Sequence, residues 1–200
     1  MRCPAFWLFA FLVASPLAPA QAQAQAQAQG QPAGCDAKQL ILVPHAFTMA
    51  ERRTEAALAF LDSDPYHPHV RTWFGSAPYP KVRARLGRTL DMLRAERRPP
   101  YLCGTAEACG NRPIFAIAHL VRRTVTLCPM FFNARNEGAD SRPGVIVHEV
   151  SHLAAGTGDM AYGRNAALAL ARKEPDRAAL NADNYEYFVE FLPETGRAAR

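Results

Sequence analysis

The chain has 200 residues, 49% of them hydrophobic and 20% charged, with a formal net charge of +5. A chain of this size and composition can bury a sizeable core. Its basic residues occur in scattered pairs such as Arg52-Arg53 and Arg122-Arg123, without a long basic run or a nucleic-acid motif. We therefore expect no nucleic-acid partner, and we interpret the basic residues as a solvated surface.

Residues 1–20 have the layout of a secretory signal peptide. Arg2 precedes an apolar run over residues 5–14, and the small residues Ala18-Pro19-Ala20 follow. The apolar run is too short to span a bilayer comfortably, so we expect cleavage, with a membrane anchor as the alternative. Loss of Arg2 lowers the net charge from +5 to +4. The pattern predicts a secreted or periplasmic protein without stable membrane insertion.

Residues 21–34 repeat Gln-Ala and close with Gln-Pro-Ala-Gly. Such a segment has almost nothing to bury, so we expect a disordered linker ahead of one folded domain, residues 35–200.

The cysteines of that domain are Cys35, Cys103, Cys109 and Cys128. In an exported chain this even number favours two disulfides, in any of three pairings. A zinc ribbon is the alternative, and the absence of a Cys-x-x-Cys motif counts against it.

The hydrophobic spacing predicts a helical body that carries a small sheet. Helical periodicity marks amphipathic helices, and an aromatic stretch at residues 71–75 lies between the first two of them. Short apolar runs separated by turn residues predict strands that pair antiparallel. The predicted helices cover residues 46–61, 81–97 and 175–192, and the predicted strands cover residues 101–103, 114–120 and 124–127.

A His-Glu-x-x-His motif at residues 148–152 is the strongest chemical signal in the chain. On a helix its two histidines project from one face about 5 to 6 Å apart, so both imidazoles can bind one metal ion. Glu149 is then placed to take a proton from water. Pro143-Gly144 can begin this mainly apolar helix and Gly156 can end it. Unpaired polar groups are costly in such a helix, and metal binding would offset that cost.

A third ligand is needed, because catalytic zinc sites normally have three protein ligands and one open position. Asp159 follows His152 by seven residues. Two intervening glycines permit the chain to reverse, and seven residues reach up to about 24 Å when extended. Taken alone, Asp159 is more simply explained as part of an ordinary Gly-rich turn.

The segment Gly156-Thr157-Gly158-Asp159-Met160-Ala161-Tyr162-Gly163 matches the pattern Gly-Thr-x-Asp-x-x-Tyr-Gly. Together with the upstream motif, it resembles the aspzincins, the family of deuterolysin and the peptidyl-Lys metalloendopeptidases. The loop between the second histidine and the aspartate is slightly shorter than in the fungal peptidyl-Lys enzymes. Further similar segments are residues 72–75, 127–129 and 181–188, so the resemblance covers most of residues 35–192.

The resemblance implies an α+β, zincin-like fold, mainly helical with a small antiparallel sheet, around one catalytic zinc ion. It implies that His148, His152 and Asp159 bind the zinc. It also implies that Glu149 is the catalytic acid and base and that Tyr162 assists the oxyanion. The disulfides that it implies are Cys35–Cys103 and Cys109–Cys128.

The last predicted helix carries an acidic stripe, formed by Asp183, Glu186 and Glu190 at positions i, i+3 and i+7. We expect Glu190 to lie on a solvated face. In the peptidyl-Lys branch, an acidic pair that corresponds to Asp183 and Glu186 lines the pocket for a substrate lysine. The resemblance therefore implies substrate binding by this pair, with lysine on the carboxyl side of the cut bond. A compact ammonium group suits two carboxylates in a partly desolvated pocket.

The sequence thus predicts a secreted zinc metalloendopeptidase that acts, as a monomer, on protein or peptide substrates. Two alternatives stay open. One is a non-catalytic exported protein in which zinc has a structural role. A structural zinc site, however, has no need of Glu149 or Tyr162 at their positions. The other is an effector peptidase with one narrow target.

Overall fold

The computed structural model describes residues 32–193. The predicted signal peptide, and the predicted linker as far as residue 31, lie outside the described residues. Between residues 32 and 193, no helix is both long and apolar enough to cross a membrane.

Helices make up most of the described chain, and a small sheet lies between the third and fourth of them. The helices are α1 (Ala37–Ser63), α2 (Pro68–Phe74), α3 (Tyr79–Leu93), α4 (Pro129–Asn133), α5 (Arg142–Ala155), α6 (Arg164–Lys173), α7 (Pro175–Ala178) and α8 (Ala182–Glu190), and a 3-10 turn covers Ala95–Arg97. The strands are β1 (Tyr101–Cys103), β2 (Ala116–His119) and β3 (Thr124–Leu127). This architecture confirms the predicted α+β class.

Two helix boundaries differ from the prediction for local reasons. Helix α1 begins well before residue 46, because Asp36 and Gln39 form a capping box that starts it at Ala37. The predicted helix over residues 175–192 is divided into α7 and α8. Asn181 lies at the break, where its side chain bonds to the loop that follows α5 instead of to solvent.

The sheet is mixed, so the prediction of a purely antiparallel sheet is wrong for one of its two pairings. Strands β2 and β3 form an antiparallel hairpin, whereas β1 pairs in parallel with the other edge of β3. The chain reverses direction twice between β1 and β3, once before β2 and once after it, which leaves β1 and β3 running the same way. The order β1-β3-β2 leaves β2 at an edge.

Both disulfides implied by the resemblance are present, and both anchor the sheet. Cys35 is bonded to Cys103 at the end of β1, which ties the start of α1 to the sheet. Cys109 is bonded to Cys128 just after β3. This second bond holds the loop that leads into β2.

Helix α5 is the central element of the fold. It packs against α1, α3, α8 and strand β2. Its apolar residues Ile146, Val147 and Val150 are fully buried. The hydroxyl of Ser141 accepts a hydrogen bond from the backbone N–H of Gly144 and begins the helix, while Gly156 ends it in the left-handed conformation at φ 64°. Residues on the α8 and β2 sides of this rigid helix therefore have fixed positions relative to the histidine motif.

Candidate metal centre and active-site cleft

The side chains of His148, His152 and Asp159 converge on one point. The Nε2 atoms of both histidines lie 3.1 Å from Oδ1 of Asp159. The two imidazole rings are 4.8 Å apart and nearly perpendicular. One nitrogen or oxygen from each of the three residues lies within 4.8 Å of the others. The structure thus brings together the three residues that the sequence suggested as metal ligands.

The donor set fits zinc in chemistry and in spacing. Two imidazole nitrogens and a carboxylate oxygen are frequent zinc ligands, and a tetrahedral site with bonds of about 2.0 to 2.1 Å separates neighbouring ligand atoms by about 3.3 Å. Burial by itself lowers the pKa of His148, but hydrogen bonds to Asp159, Asp183 and Glu186 raise it well above its usual value. These carboxylates therefore favour a positive charge at the imidazole, and a metal cation can supply that charge in place of a proton.

The Nδ1 atoms of both histidines have their own partners on the opposite side. Nδ1 of His152 lies 2.9 Å from the carbonyl oxygen of Thr157. Nδ1 of His148 lies 2.8 Å from Oδ1 of Asp183 and 3.1 Å from Oε2 of Glu186. An N–H bond from Nδ1 to an oxygen fixes the ring orientation and leaves Nε2 free as a metal ligand. Both imidazoles are thus oriented for coordination through Nε2.

The loop that carries Asp159 is held by backbone pairing to the start of α8. The N–H of Gly158 donates to the carbonyl of Leu180 at 2.8 Å, and its carbonyl accepts from the N–H of Ala182 at 3.0 Å. The side-chain oxygen of Asn181 accepts from the N–H groups of Met160 and Ala161. These bonds place Asp159 opposite the two histidines, although the loop itself has no regular secondary structure.

Glu149 lies beside the metal ligands and is only 6% exposed. Burial raises the pKa of its carboxyl group, and the two histidines act in the opposite direction. The backbone N–H of Ala118, on the edge strand β2, donates a hydrogen bond to it. A carboxyl group whose pKa is raised toward neutrality is better suited to accept and return a proton.

Tyr162 extends over the same site from the loop after Asp159. Its ring lies nearly parallel to that of His148, with centroids 6.4 Å apart, and 70% of the residue is exposed. Partial burial and a hydrogen bond to Asp159 raise the pKa of Tyr162 to about 12, so its hydroxyl remains a donor at neutral pH. The following residue, Gly163, has a φ of 81° that a glycine adopts without strain.

These side chains line a cleft of about 540 Å³. Strand β2 and the residues before it form one wall, and helices α5 and α8 form the other. Besides the three ligands, Glu149 and Tyr162, the cleft is lined by Asp140, Val145, Asp183, Glu186 and Tyr187. The structure therefore places every residue suggested for catalysis, metal binding and substrate binding in one cavity.

Asp183 and Glu186 are more deeply buried than an acidic stripe on a helix suggests, at 4% exposure each. One oxygen of Asp183 contacts His148 and the other accepts from the N–H of Gly163. Glu186 contacts His148 through Oε2, while its Oε1 has no partner among the described residues. Burial raises the pKa of Glu186 to about 7, against the opposing effect of His148.

The prediction that Glu190 lies on a solvated face is wrong. Its Oε1 accepts a hydrogen bond from the N–H of Ser141 at 2.7 Å, and its carboxylate packs against Gly144 at the start of α5. Burial and repulsion by Glu186 raise the pKa of Glu190 to about 8. The error arose because the face of α8 that carries Glu190 is covered by the start of another helix, a contact that helical spacing alone does not reveal.

Sequence reasoning missed three contributors to this cleft. The backbone carbonyl of Thr157 contacts Nδ1 of His152 and orients its ring. Thr157 lies within the Gly-Thr-x-Asp pattern, but the type of side chain does not indicate that its backbone carbonyl has this role. Asp140 and Tyr187 are hydrogen-bonded to each other at 2.8 Å. The one available signal for Asp140 was its position directly before the Ser141 cap of the metal helix.

Comparison with known proteins agrees with this geometry. The aspzincin family model, described as lysine-specific metallo-endopeptidase, matches residues 61–190. A peptidyl-Lys metalloendopeptidase of Pleurotus ostreatus is 33% identical over 165 residues, which are 80% of this chain and 96% of that protein. One from Grifola frondosa is 35% identical over 164 residues, again 80% of this chain, although the match spans only 46% of that protein's length.

The solved structure of a zinc peptidase from Grifola frondosa superimposes on this fold with a TM-score of 0.71 and 32% sequence identity. The match covers 80% of this chain and 99% of that one. The likeness therefore extends over the helical body, the sheet and the cleft together. The chain belongs to the aspzincin family of metallo-endopeptidases.

Proposed function

We propose that this protein is a secreted zinc metalloendopeptidase that cuts protein or peptide chains on the amino side of lysine. The observation that carries the proposal is the convergence of His148, His152 and Asp159 beside a buried Glu149 in an open cleft. The peptidyl-Lys activity of the relatives supports it, as do the two disulfides, which are typical of exported proteins. We assign the peptidase activity to residues 35–200.

In this proposal His148, His152 and Asp159 hold one zinc ion through Nε2, Nε2 and a carboxylate oxygen. Bound zinc supplies a Lewis acid that polarises a carbonyl group and makes water more acidic. Glu149 takes the proton from the attacking water and returns it to the departing amine. Glu149 is only 6% exposed, so little water surrounds it and its electrostatic interactions are stronger.

The hydroxyl of Tyr162 donates a hydrogen bond to the carbonyl oxygen, which becomes negative as the peptide bond is attacked. Its pKa of about 12 ensures that the donor is protonated at working pH. A donor of this kind can contribute about 3 to 4 kcal/mol to the stabilisation of the transition state.

The two buried acids differ in how they serve the substrate lysine. Both oxygens of Asp183 are engaged, one with His148 and one with Gly163, so Asp183 mainly orients the histidine and adds negative charge. Glu186 retains an oxygen without a partner among residues 32–193. We assign direct binding of the lysine ammonium group to Glu186.

The non-catalytic alternative fits the site less well. A structural zinc site is closed by four protein ligands. In the described part of the chain two histidines converge with Asp159, which makes three ligands, and all three line the open cleft. A buried glutamate and an exposed tyrosine at that opening have roles in catalysis and none in a structural site.

The proposal is tested by comparing wild type with Glu149→Gln and Asp159→Ala for zinc content and for cleavage of an unfolded protein. We expect Glu149→Gln to keep its zinc and to lose about 10² to 10⁴ in turnover, since it removes the acid and base only. Asp159→Ala should lose zinc and activity together. The exposed Glu137, whose side chain is 85% accessible, gives a matched control as Glu137→Gln. Full activity in Glu149→Gln would refute the assigned mechanism.

A further inference from the structure

The cleft continues beyond the metal ligands toward the start of α5. The residues of α5 that line it are Val145, His148, Glu149 and His152, which form one stripe along the helix. Asp140 lines the cleft just before the helix begins. With a rise of 1.5 Å per residue, Asp140 lies on the order of 12 Å from His148 along the helix. Asp140 and the point where the metal ligands converge therefore lie in different parts of the cleft.

Asp140 is held in an unusual position. Its φ of 54° lies in the left-handed region, which Asp, Asn and Gly tolerate better than other residues. Its Oδ1 accepts a hydrogen bond from the hydroxyl of Tyr187 at 2.8 Å. Tyr187 is only 1% exposed, so this donor is fixed within the core. Residues kept in such conformations by their surroundings are concentrated at functional sites.

Among the described residues, the acidic groups of the cleft have one basic partner at ion-pair distance, His148, whose Nδ1 lies 2.8 Å from Asp183 and 3.1 Å from Glu186. Between residues 32 and 193, no Lys or Arg side chain forms an ion pair with Asp140, Asp183 or Glu186. Glu186 is 4% exposed, lines the cleft, and its Oε1 has no hydrogen-bond partner in that range. A buried carboxylate oxygen without a partner is costly unless a cation completes the site.

We propose that Asp140 is a further specificity-determining residue, a third carboxylate that receives the ammonium group of the substrate lysine beside Glu186. This inference rests on the proposed function and assigns the far end of its pocket. The lysine methylenes would then contact Val145 and Phe115, which line the same cleft. An ammonium group has three N–H donors and is best satisfied by more than one acceptor. The hydroxyl of Tyr187 orients the Asp140 carboxylate toward it.

Asp140→Asn isolates the charge, because asparagine also tolerates a positive φ and can still accept the bond from Tyr187. The assay compares kcat/KM for two peptides that differ only after the cut bond, one with lysine and one with norleucine, which lacks the ammonium group. We expect Asp140→Asn to lower the lysine-to-norleucine ratio about tenfold or more, the effect of one charged hydrogen bond, through a loss of kcat/KM on the lysine peptide. Tyr187→Phe should lower the ratio by a smaller factor.

The matched control is Asp176→Asn, since the Asp176 side chain is 75% exposed and pairs with Lys81 on the surface. It should leave the ratio unchanged. A wild-type preference for lysine that is equally strong in Asp140→Asn overturns the role of Asp140 and leaves the proposed function intact. An equal loss on both peptides also overturns it, because that pattern indicates a structural effect.

Binding of n-butylammonium, the cation of the lysine side chain, provides a readout that needs no turnover. Calorimetric titration of the zinc-loaded protein should show binding about tenfold weaker in Asp140→Asn than in wild type. Equal binding by the two proteins overturns the proposal. If wild type cuts neither peptide but binds n-butylammonium in an Asp140-dependent way, the peptidase proposal fails and the cation site stands.

Discussion

The groups at the two ends of helix α5 come from different parts of the chain, and we have proposed different tasks for them. At its carboxyl end, the ligands and Tyr162 come from fifteen consecutive positions, residues 148–162, and the geometry follows from one helix and one loop. At its amino end, the acidic groups come from the residues before α5 and from α8, which lies some forty positions further along. Local sequence therefore determines the metal end, and tertiary packing determines the acidic end.

The two ends also differ in how completely their polar groups are satisfied. Both metal-binding histidines have partners for Nδ1, so their orientation is fixed before any ligand arrives. At the acidic end, Oε1 of Glu186 and Oε2 of Glu190 have no partner among the described residues. Preorganisation at the metal end suits catalysis. Carboxyl oxygens without a partner at the acidic end suit recognition of a cation.

Substitution of Gly144 tests the packing at the acidic end and should have the largest effect on stability. A Cβ on Gly144 would lie 1.9 Å from Oε1 of Glu190, so the carboxylate must move and lose its bond to Ser141. We expect Gly144→Ala to lower the free energy of unfolding by about 1 to 3 kcal/mol, as overpacking and a lost buried hydrogen bond do. Urea denaturation measures this change.

Gly87 supplies the matched control, because it also lies in a helix but a Cβ there meets nothing within 4 Å. Gly87→Ala should raise the free energy of unfolding by about 0.5 to 1 kcal/mol. In a Glu190→Ala background, Gly144→Ala should no longer destabilise the protein. If Gly144→Ala behaves like Gly87→Ala in the wild-type background, Glu190 does not pack as described.

The pH dependence of stability also tests the packing at the acidic end, with a smaller expected effect on the free energy of unfolding. The pKa of Glu190 is raised to about 8 from 4.5 by burial and by Glu186, with a further contribution from Asp140. The folded state then binds more protons than the unfolded state between these values, so stability should fall as pH rises from about 4.5 to about 8. One such group contributes at most about 1.4 kcal/mol per pH unit.

Glu190→Gln removes this contribution, so its stability should fall less steeply than that of wild type over the same pH range. Urea denaturation of both zinc-loaded proteins at three pH values across that range measures the difference. Glu137→Gln, at an exposed position, should show the same pH dependence of stability as wild type. Parallel curves for Glu190→Gln and wild type would mean that the Glu190 carboxyl group is not perturbed by folding.

Much of the fold and most of the site could be predicted from the sequence, for identifiable reasons. The start and end of α5 follow from Pro143-Gly144 and Gly156, and the ligand positions follow from spacing on one helix face together with the Gly-Thr-x-Asp pattern. The family resemblance supplied the disulfide pairing. The parallel pairing of β1 with β3 was missed because strand periodicity carries no information about which edge a distant strand joins.

The roles of Asp140, Tyr187 and Glu190 could not be predicted for a related reason. Their positions depend on α8 crossing the start of α5, and helical spacing on α8 alone favours a solvated acidic stripe. In the structure Asp183 and Glu186 are buried in the cleft, and Glu190 contacts the start of α5. The contacts of the Asn181 side chain, which lies directly before α8 and holds the Asp159 loop, are also long-range and could not be predicted from local spacing.

The most direct test of the account is a digest of an unfolded, lysine-containing protein with the zinc-loaded enzyme, in which every new amino terminus is identified by mass spectrometry. Glu149→Gln, handled identically, provides the blank. We predict that the new termini begin with lysine and that the blank yields none. New termini without a preference for lysine would contradict the assignment of the acidic end of the cleft, and an absence of cleavage by a folded, zinc-loaded protein would contradict the peptidase function itself.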